Sequence, residues 1–378
     1  MSTPGTALIV GAGIGGLATA TGLRRRGWNV RMYDRAHGPS DLGFGLALAA
    51  NAMRALDELG AGDAIRAVGY APRRGELCRT DGRVLKRGDA PMGPLVIALR
   101  RDLHATLLRL ANTDVRRGEV VRVDHDGDRV SIALADGSSD TGDLLIGADG
   151  VGSIVRRQLH PEDPAPAASG YSTVRGVAFG ANDAIGGLDA IGYFGPGVEA
   201  AALRAGSDAI YWYLSLLTRD LGSLPRDPQA VSRACTIGFD PRFLAVVART
   251  PADQMRFDEL FTRAPLGSWG RGRMTLLGDA AHPLLPHTGQ GAAQALEDAV
   301  SLGLALTADA PVEPALRRYE RIRADRTRRF IALGPRIARV TTTRNRVIQA
   351  VRNTALQLIP PALLAAAGRG KDPFEALR

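Results

Sequence analysis

Lysine is nearly missing from this chain: Lys86 and Lys371 are the only two among its 48 basic residues. Aromatic side chains are scarce too, at 5% of residues. A net charge of +9 would otherwise invite a nucleic-acid reading. Here the positive charge is arginine spread along the whole chain, without the basic and aromatic clusters that nucleic acid requires. No nucleic-acid partner is expected, and a coding bias toward arginine, or an anionic substrate or cofactor, accounts for the excess. Cysteine is almost absent as well. Cys78 and Cys235 make neither a disulfide framework nor a metal cluster, so a reducing, cytoplasmic setting is expected.

Long apolar runs are missing. Spanning a bilayer takes about 20 consecutive apolar residues. The nearest stretch, IQAVRNTALQLIPPALLAAA (348–367), is broken by Arg352, Asn353 and a Pro-Pro pair. It reads as an amphipathic helix ending at proline, and no integral membrane segment is expected. The apolar stretch from Ala7 is broken by glycines and has no basic start, so it is not a signal peptide. Internal repeats and low-complexity linkers are absent. At 378 residues, 45% hydrophobic and 23% charged, the chain can bury a sizeable core in two lobes.

The first strong pattern stands at the N-terminus. TALIV (6–10) is a short β-prone run, followed by GAGIGG (11–16) and the helical pattern LATATGLRRRG. Gly27 stops that helix, and a second strand, NVRMYD (29–34), ends in Asp34. Strand, glycine turn, helix, strand and acid make a dinucleotide-binding unit. Gly11 permits the tight turn, Gly13 lets a pyrophosphate approach the backbone, and Gly16 lets helix and strand pack closely. The helix start offers free N–H groups and a positive dipole end to the phosphates. Asp34 stands where a carboxylate would take ribose hydroxyls.

Two further stretches repeat the theme of a strand running into an acid and a helix. One is DLLIGADGVGSIVR (143–156). The other is the strand MTLL (274–277) leading into GDAAHPLLPHTGQGAAQALEDA (278–299). His282 and His287 are separated by Pro283 and Pro286, cannot share a helical face, and have no cysteine partner. No metal site is expected there.

With these three motifs in order, the chain resembles the single-component FAD-dependent aromatic hydroxylases, the group A flavoprotein monooxygenases akin to p-hydroxybenzoate and salicylate hydroxylase. The stretches 43–60, 100–108 and 315–326 match in between, so the resemblance covers roughly residues 6 to 330. It implies an α/β fold. A Rossmann-like FAD-binding domain is expected from 1–70, 96–160 and 268–310. A mostly antiparallel β-sheet substrate domain, 71–95 and 161–267, is inserted into it, and a C-terminal helical region follows at 311–378.

The resemblance also implies roles. Gly11, Gly13, Ile14, Gly15 and Gly16 would meet the pyrophosphate, and Asp34 the ribose. Arg35 is either a contact to the adenosine half or a surface arginine. Arg100 would reach the FAD phosphates, with Arg101 as its competitor, and Asp149 would lie near the pyrophosphate. Gly278 and Asp279 would hold the ribityl chain. Gly289, Gln290, Gly291 and Ala292 would open a helix toward the pyrimidine side of the flavin, whose reduced form is anionic and favoured by the positive helix end. Pro286 would line the face where oxygen reacts, and His287 would touch substrate, whereas His282 reads as a structural turn residue. Tyr211 and Tyr213, on one side of the strand AIYWYLSLL (209–217), and Tyr193 and Trp212 are pocket candidates.

The implied chemistry is hydride transfer from NADH or NADPH to FAD, addition of O2, and oxygen transfer from a C4a-hydroperoxide to an aromatic, phenolic or polycyclic small molecule. A monomer or homodimer is expected. Flavin halogenases are set aside because Trp212 stands in YWY and lysine is scarce. A flavin-dependent epoxidase or reductase of an isoprenoid-like substrate stays open, as does a non-catalytic FAD-fold binding protein.

Overall fold

A computed structural model describes residues 5–36, 44–89, 95–307, 310–358, 360 and 373–377. Gly43 of the 43–60 stretch, and positions 359 and 361–367 of the 348–367 stretch, lie outside the described residues.

The apolar runs read from the sequence form a five-stranded parallel sheet. Its order is Met274–Leu276, Leu144–Gly147, Thr6–Val10, Asn29–Asp34, Val115–Arg117. The central strands are buried on both faces, which is why they read as continuous apolar runs rather than alternating ones. Register aligns Val10 with Gly147 and Tyr33, and Gly147 with Leu276. The residues that follow, Gly11, Ala148 and Leu277, therefore stand side by side at the carboxyl edge, where open α/β sheets bind ligands. The helices Ile14–Arg24 and Gly291–Ala305 pack together on this sheet. A methyl on Gly22 would lie 3.4 Å from the Ala299 carbonyl, so small residues bring the two backbones close.

A seven-stranded sheet forms the second layer, in the order Met255–Thr262, Ala167–Phe179, Ala209–Leu217, Val198–Ala205, Ala190–Gly195, Arg74–Arg79, Val84–Asp89. Its pairs are antiparallel except Ala190–Gly195 with Arg74–Arg79, which run parallel. Period-two alternation gives it two distinct faces. Trp212, Phe239, Phe243 and Tyr193 share the core on the outer face, beneath the helices Pro228–Cys235 and Pro241–Ala248. Tyr193 is thus not a pocket residue. It pairs with Ala200, which pairs with Leu214 on that outer side, and its ring meets Phe243 at 5.3 Å. Trp212 is likewise removed from the pocket; its indole N–H donates to Thr250 at 2.8 Å.

The inner face carries Tyr211, packed with Phe44, Ile97 and Leu99. The two leucine-rich strands Gly45–Ala49 and Leu95–Leu99 pair antiparallel and join the layers there. After residue 311 the chain is helical, as Val312–Thr341 and Arg346–Leu358. Cys78 and Cys235 are free. No helix among the described residues is long and apolar enough to cross a membrane.

Candidate active site

At the carboxyl edge of the parallel sheet, Gly11 adopts φ +105°, and a methyl on it would sit 2.4 Å from the Ala148 carbonyl. Only glycine allows both the turn and the approach. Gly16 is still tighter, because its Cβ would fall 2.0 Å from the Gly11 carbonyl oxygen. Gly13 is the opposite case: a Cβ there meets nothing within 4 Å, and the same holds for Gly289 and Gly291. Two separate loops therefore each present bare backbone beside open space. That is a cradle a dinucleotide fits and a side chain would fill.

The acids around the cradle divide into two kinds. Asp34 accepts the Ala12 amide at 2.7 Å and the Ala36 amide at 2.8 Å, fixing the glycine turn. His104 backs the same turn, its Nε2 2.9 Å from the Ala12 carbonyl. Asp149 stands beside the first glycine turn, where a Cβ on Gly11 would lie 2.9 Å from its amide nitrogen. Its oxygens take the Ser153 hydroxyl at 2.5 Å and the Ile154 amide at 2.7 Å, so it caps the helix Ile154–Leu159. Gly278, at φ +60°, turns the chain so that Asp279 is exposed on the cradle wall. The surrounding protein desolvates Asp279 and pushes its carboxyl above the ordinary range, with His282 and Arg100 opposing. Burial likewise lowers Arg100, which faces Asp279 across the site. Arg35 is exposed at the end of its strand.

Beneath the Gly278–Asp279 turn lies an ionic network with a fully buried centre that the motif spacing did not signal. Asp298 accepts the Gly278 amide at 3.0 Å and His282 Nε2 at 2.6 Å. Arg323, from the long helix Val312–Thr341, donates to Asp298 at 2.6 Å and to Glu297 at 2.5 Å. Burial pushes the Asp298 carboxyl up, but His282 and Arg323 outweigh it and hold it at about 2. Glu297 also takes Arg326 at 2.5 Å and Asn51 at 2.6 Å, and Asn51 reaches Gln290 at 2.9 Å. Buried Arg156 adds a strut, its Nη1 donating to the carbonyls of Ala280 and Ala281 at 3.2 and 3.1 Å. His282 is therefore a buried member of this network. The helix opened by the second glycine loop starts at Gly291, with Gln290 as its cap residue and Ala292 half-buried in its first turn.

Facing the loop is the inner side of the seven-stranded sheet. Pro286 is exposed at the head of the turn Pro286–Thr288. His287 Nε2 lies 2.8 Å from Ser215 Oγ, and Tyr171 meets the imidazole edge-on at 5.1 Å. Burial pulls His287 down to about 4, so it is neutral at ordinary pH. Tyr213 and Tyr211 follow along the same strand face, their rings 6.2 Å apart. Beyond Tyr171 and Leu217, a cleft of about 530 Å³ opens toward Thr342 and Asn345. Among the described residues no group of three or more His, Cys, Asp or Glu is placed to hold a metal.

The profile of the FAD-binding-domain family matches residues 5–333. The chain belongs to this family. It is 32% identical over 367 residues, 95% of each chain, to aurachin C monooxygenase/isomerase of Stigmatella aurantiaca. It is 33% identical to 3-hydroxybenzoate 6-hydroxylase 1 of Aquipseudomonas alcaligenes over 85% of this chain and 86% of the relative. In fold it follows a variant of Klebsiella pneumoniae HpxO complexed with FAD, with a TM-score of 0.87 at 25% identity over 96% and 97% of the two chains. The chain is an FAD-dependent monooxygenase of the aromatic-hydroxylase kind, and the isoprenoid reductase or epoxidase alternative is not favoured.

In this flavoprotein Asp34 holds the first glycine turn through the Ala12 amide, Gly15 lies against Leu277 and Ala295, and Arg100 is electrostatically coupled to Asp279. Sequence reasoning gave no role to Asn51, Arg156, Arg323 and Arg326, although they lie in the stretches 43–60, 143–156 and 315–326, because their partners lie elsewhere in the chain.

Proposed function

We propose that this chain hydroxylates an aromatic small molecule, using O2 and NADH or NADPH. The observation that carries the reading is that the second glycine loop meets the cradle on one side and the tyrosine-bearing sheet face on the other. FAD, once bound, supplies hydride acceptance and oxygen activation. The chain's own residues do the rest. Gly11, Gly13, Ile14, Gly15 and Gly16 bind the pyrophosphate, and Asp34 the ribose. Arg100 and Asp279 hold opposite ends of the polar chain between the rings. The N–H groups of Gly291 and Ala292 face the pyrimidine edge, where a helix N-terminus favours negative charge. Pro286, His287, Tyr211 and Tyr213 enclose the substrate and keep water out.

In this reading 1–70, 96–160 and 268–310 act as the cofactor unit, 71–95 and 161–267 as the substrate unit, and 311–378 as the helical support. A reducing compartment, the cytoplasm, suits the two free thiols, and the active unit is a monomer or homodimer. The test is direct. Purified protein should show flavin absorption bands, and a panel of phenols should accelerate both NAD(P)H oxidation and oxygen uptake and give a product one oxygen heavier. Stimulation by an alkene but by no aromatic compound would overturn the reading.

A further inference from the structure

The helix Arg346–Leu358 is packed inside out. At the helical period Val347, Val351, Ala355 and Leu358 share one face. That face is turned to solvent: Val347 is 71% exposed, Val351 65% and Leu358 74%. Ile348 and Ala350, which flank the stripe, are exposed as well. The polar side is turned to the protein instead. Arg352 is buried; its Nη1 donates to the Thr341 carbonyl at 2.7 Å, and its guanidinium stacks on Phe194 at 5.2 Å. Gln349, half-buried on the same side, donates to the Thr343 carbonyl at 3.1 Å. Polar contacts hold the helix, and its apolar stripe is left on display. A helix fitted only to its own protein shows the reverse, and contiguous exposed apolar surface marks an interaction site.

Charge decides what covers the stripe. From Arg326 to Lys371 the sequence carries nine arginines and one lysine, and no aspartate or glutamate. Arg336, Arg339 and Arg346 are exposed around the bend that leads into the helix, where Arg344 is tied to Asp220 at 2.9 Å. A second copy of the chain is a poor cover, because an isologous contact would set this acid-free surface against itself. An anionic bilayer is a good one. A helix lying in a membrane interface buries its apolar face at the headgroup boundary, and neighbouring arginines meet the lipid phosphates.

We infer that the face formed by Val347, Val351 and Leu358 docks on the surface of an anionic membrane, lying in the headgroup layer without spanning it. The cleft beyond Tyr171 is lined by Arg339, Thr342, Arg344 and Asn345, from the end of one helix and the bend into the other. Docking therefore sets that cleft beside the lipid, into which apolar rings partition. The inference does not depend on the monooxygenase reading, since membrane binding is measured without turnover.

The test sediments the FAD-loaded protein with vesicles of phosphatidylglycerol and phosphatidylcholine in equal parts, and with vesicles of phosphatidylcholine alone. The wild type should bind the anionic vesicles about tenfold or more tighter, and high salt should weaken that binding. Val351→Glu should lower the affinity by about tenfold or more with flavin content unchanged. Ile237→Glu puts the same charge on a side chain that is 86% exposed between the helices Pro228–Cys235 and Pro241–Ala248, and should bind as the wild type does. Equal binding to both vesicles, binding to neither, or an equal loss in Ile237→Glu overturns the inference. So does a dimer in solution that Val351→Glu splits, which gives the face to a second copy. Should Val351→Glu not fold, Val351→Trp decides against the buried Trp28, Trp212 and Trp269. Its emission should move to the blue with the anionic vesicles, and an unmoved spectrum overturns the inference.

Discussion

Arg323 Nε stands 2.6 Å from Asp298 Oδ1, with both side chains fully buried. The pair joins the long helix Val312–Thr341 to the turn that carries Asp279, since Asp298 also accepts the Gly278 amide. Removing one charge from a buried pair costs more than the pair contributes, because its partner is left unmatched. Asp298→Asn should therefore destabilise the protein by about 3–5 kcal/mol and weaken FAD retention as well. Thermal unfolding with and without excess FAD checks this, and an unchanged midpoint would remove the network from the stability argument.

Acid should act at two places, in the same direction. Asp298 sits at about 2, below its unfolded value, so the stability it contributes is present above pH ~4 and is lost as pH falls toward 2. His287 sits at about 4, below its unfolded value of about 6.5, because burial disfavours the imidazolium. The unfolded chain takes up that proton first, so stability falls as pH drops from about 6.5 to 4, by up to about 3 kcal/mol. His287→Gln should flatten the curve between pH 5 and 7 while leaving the loss below pH ~4 in place. Unfolding midpoints measured across that range separate the two groups.

Gly13 and Gly16 should fail in different ways. A methyl at Gly16 meets the Gly11 carbonyl at 2.0 Å, so Gly16→Ala should damage the apoprotein itself. Gly13 has open space, so Gly13→Ala should fold with an unchanged apo midpoint and lose FAD, and Gly13→Val should lose more. Flavin content and apo unfolding, measured side by side, decide. A Gly13→Ala protein that retains its FAD would show that the cofactor does not approach this turn.

Asp279→Ala removes a carboxylate that Arg100 faces and that protein desolvates. Loss of a charged acceptor for hydroxyl donors should cost roughly 1.5–3 kcal/mol, about one to two decades in FAD affinity. Equal FAD content in variant and wild type would count against the assignment.

The parallel sheet and its glycine turns were legible because their signals are local. TALIV, GAGIGG and NVRMYD each carry their own geometry, and AIYWYLSLL became one strand with Tyr211 and Tyr213 on one face, as alternation predicts. What was hidden depends on pairing at a distance. Tyr193 looked like a pocket residue until the register with Ala200 and Leu214 sent it to the outer core. That the Asp149 carboxylate also caps a helix through the Ser153 hydroxyl was not read from its motif.

The reach of Arg323 back to Glu297 and Asp298 also bears on synthesis. The first glycine turn emerges early, yet the second is braced by a side chain that follows it by a further full helix. Until residue 323 has left the ribosome, two acids lie in an apolar layer without their counter-charge, and the cradle has only one finished wall. The Asn51–Glu297 bond of the same network spans 246 residues, and contacts of such separation form late. FAD capture is therefore an event of the nearly complete chain, and the cofactor arrives as a closing brace rather than as a nucleus for folding. Nascent chains stalled before and after residue 323 should differ in flavin retention, with the shorter ones holding none.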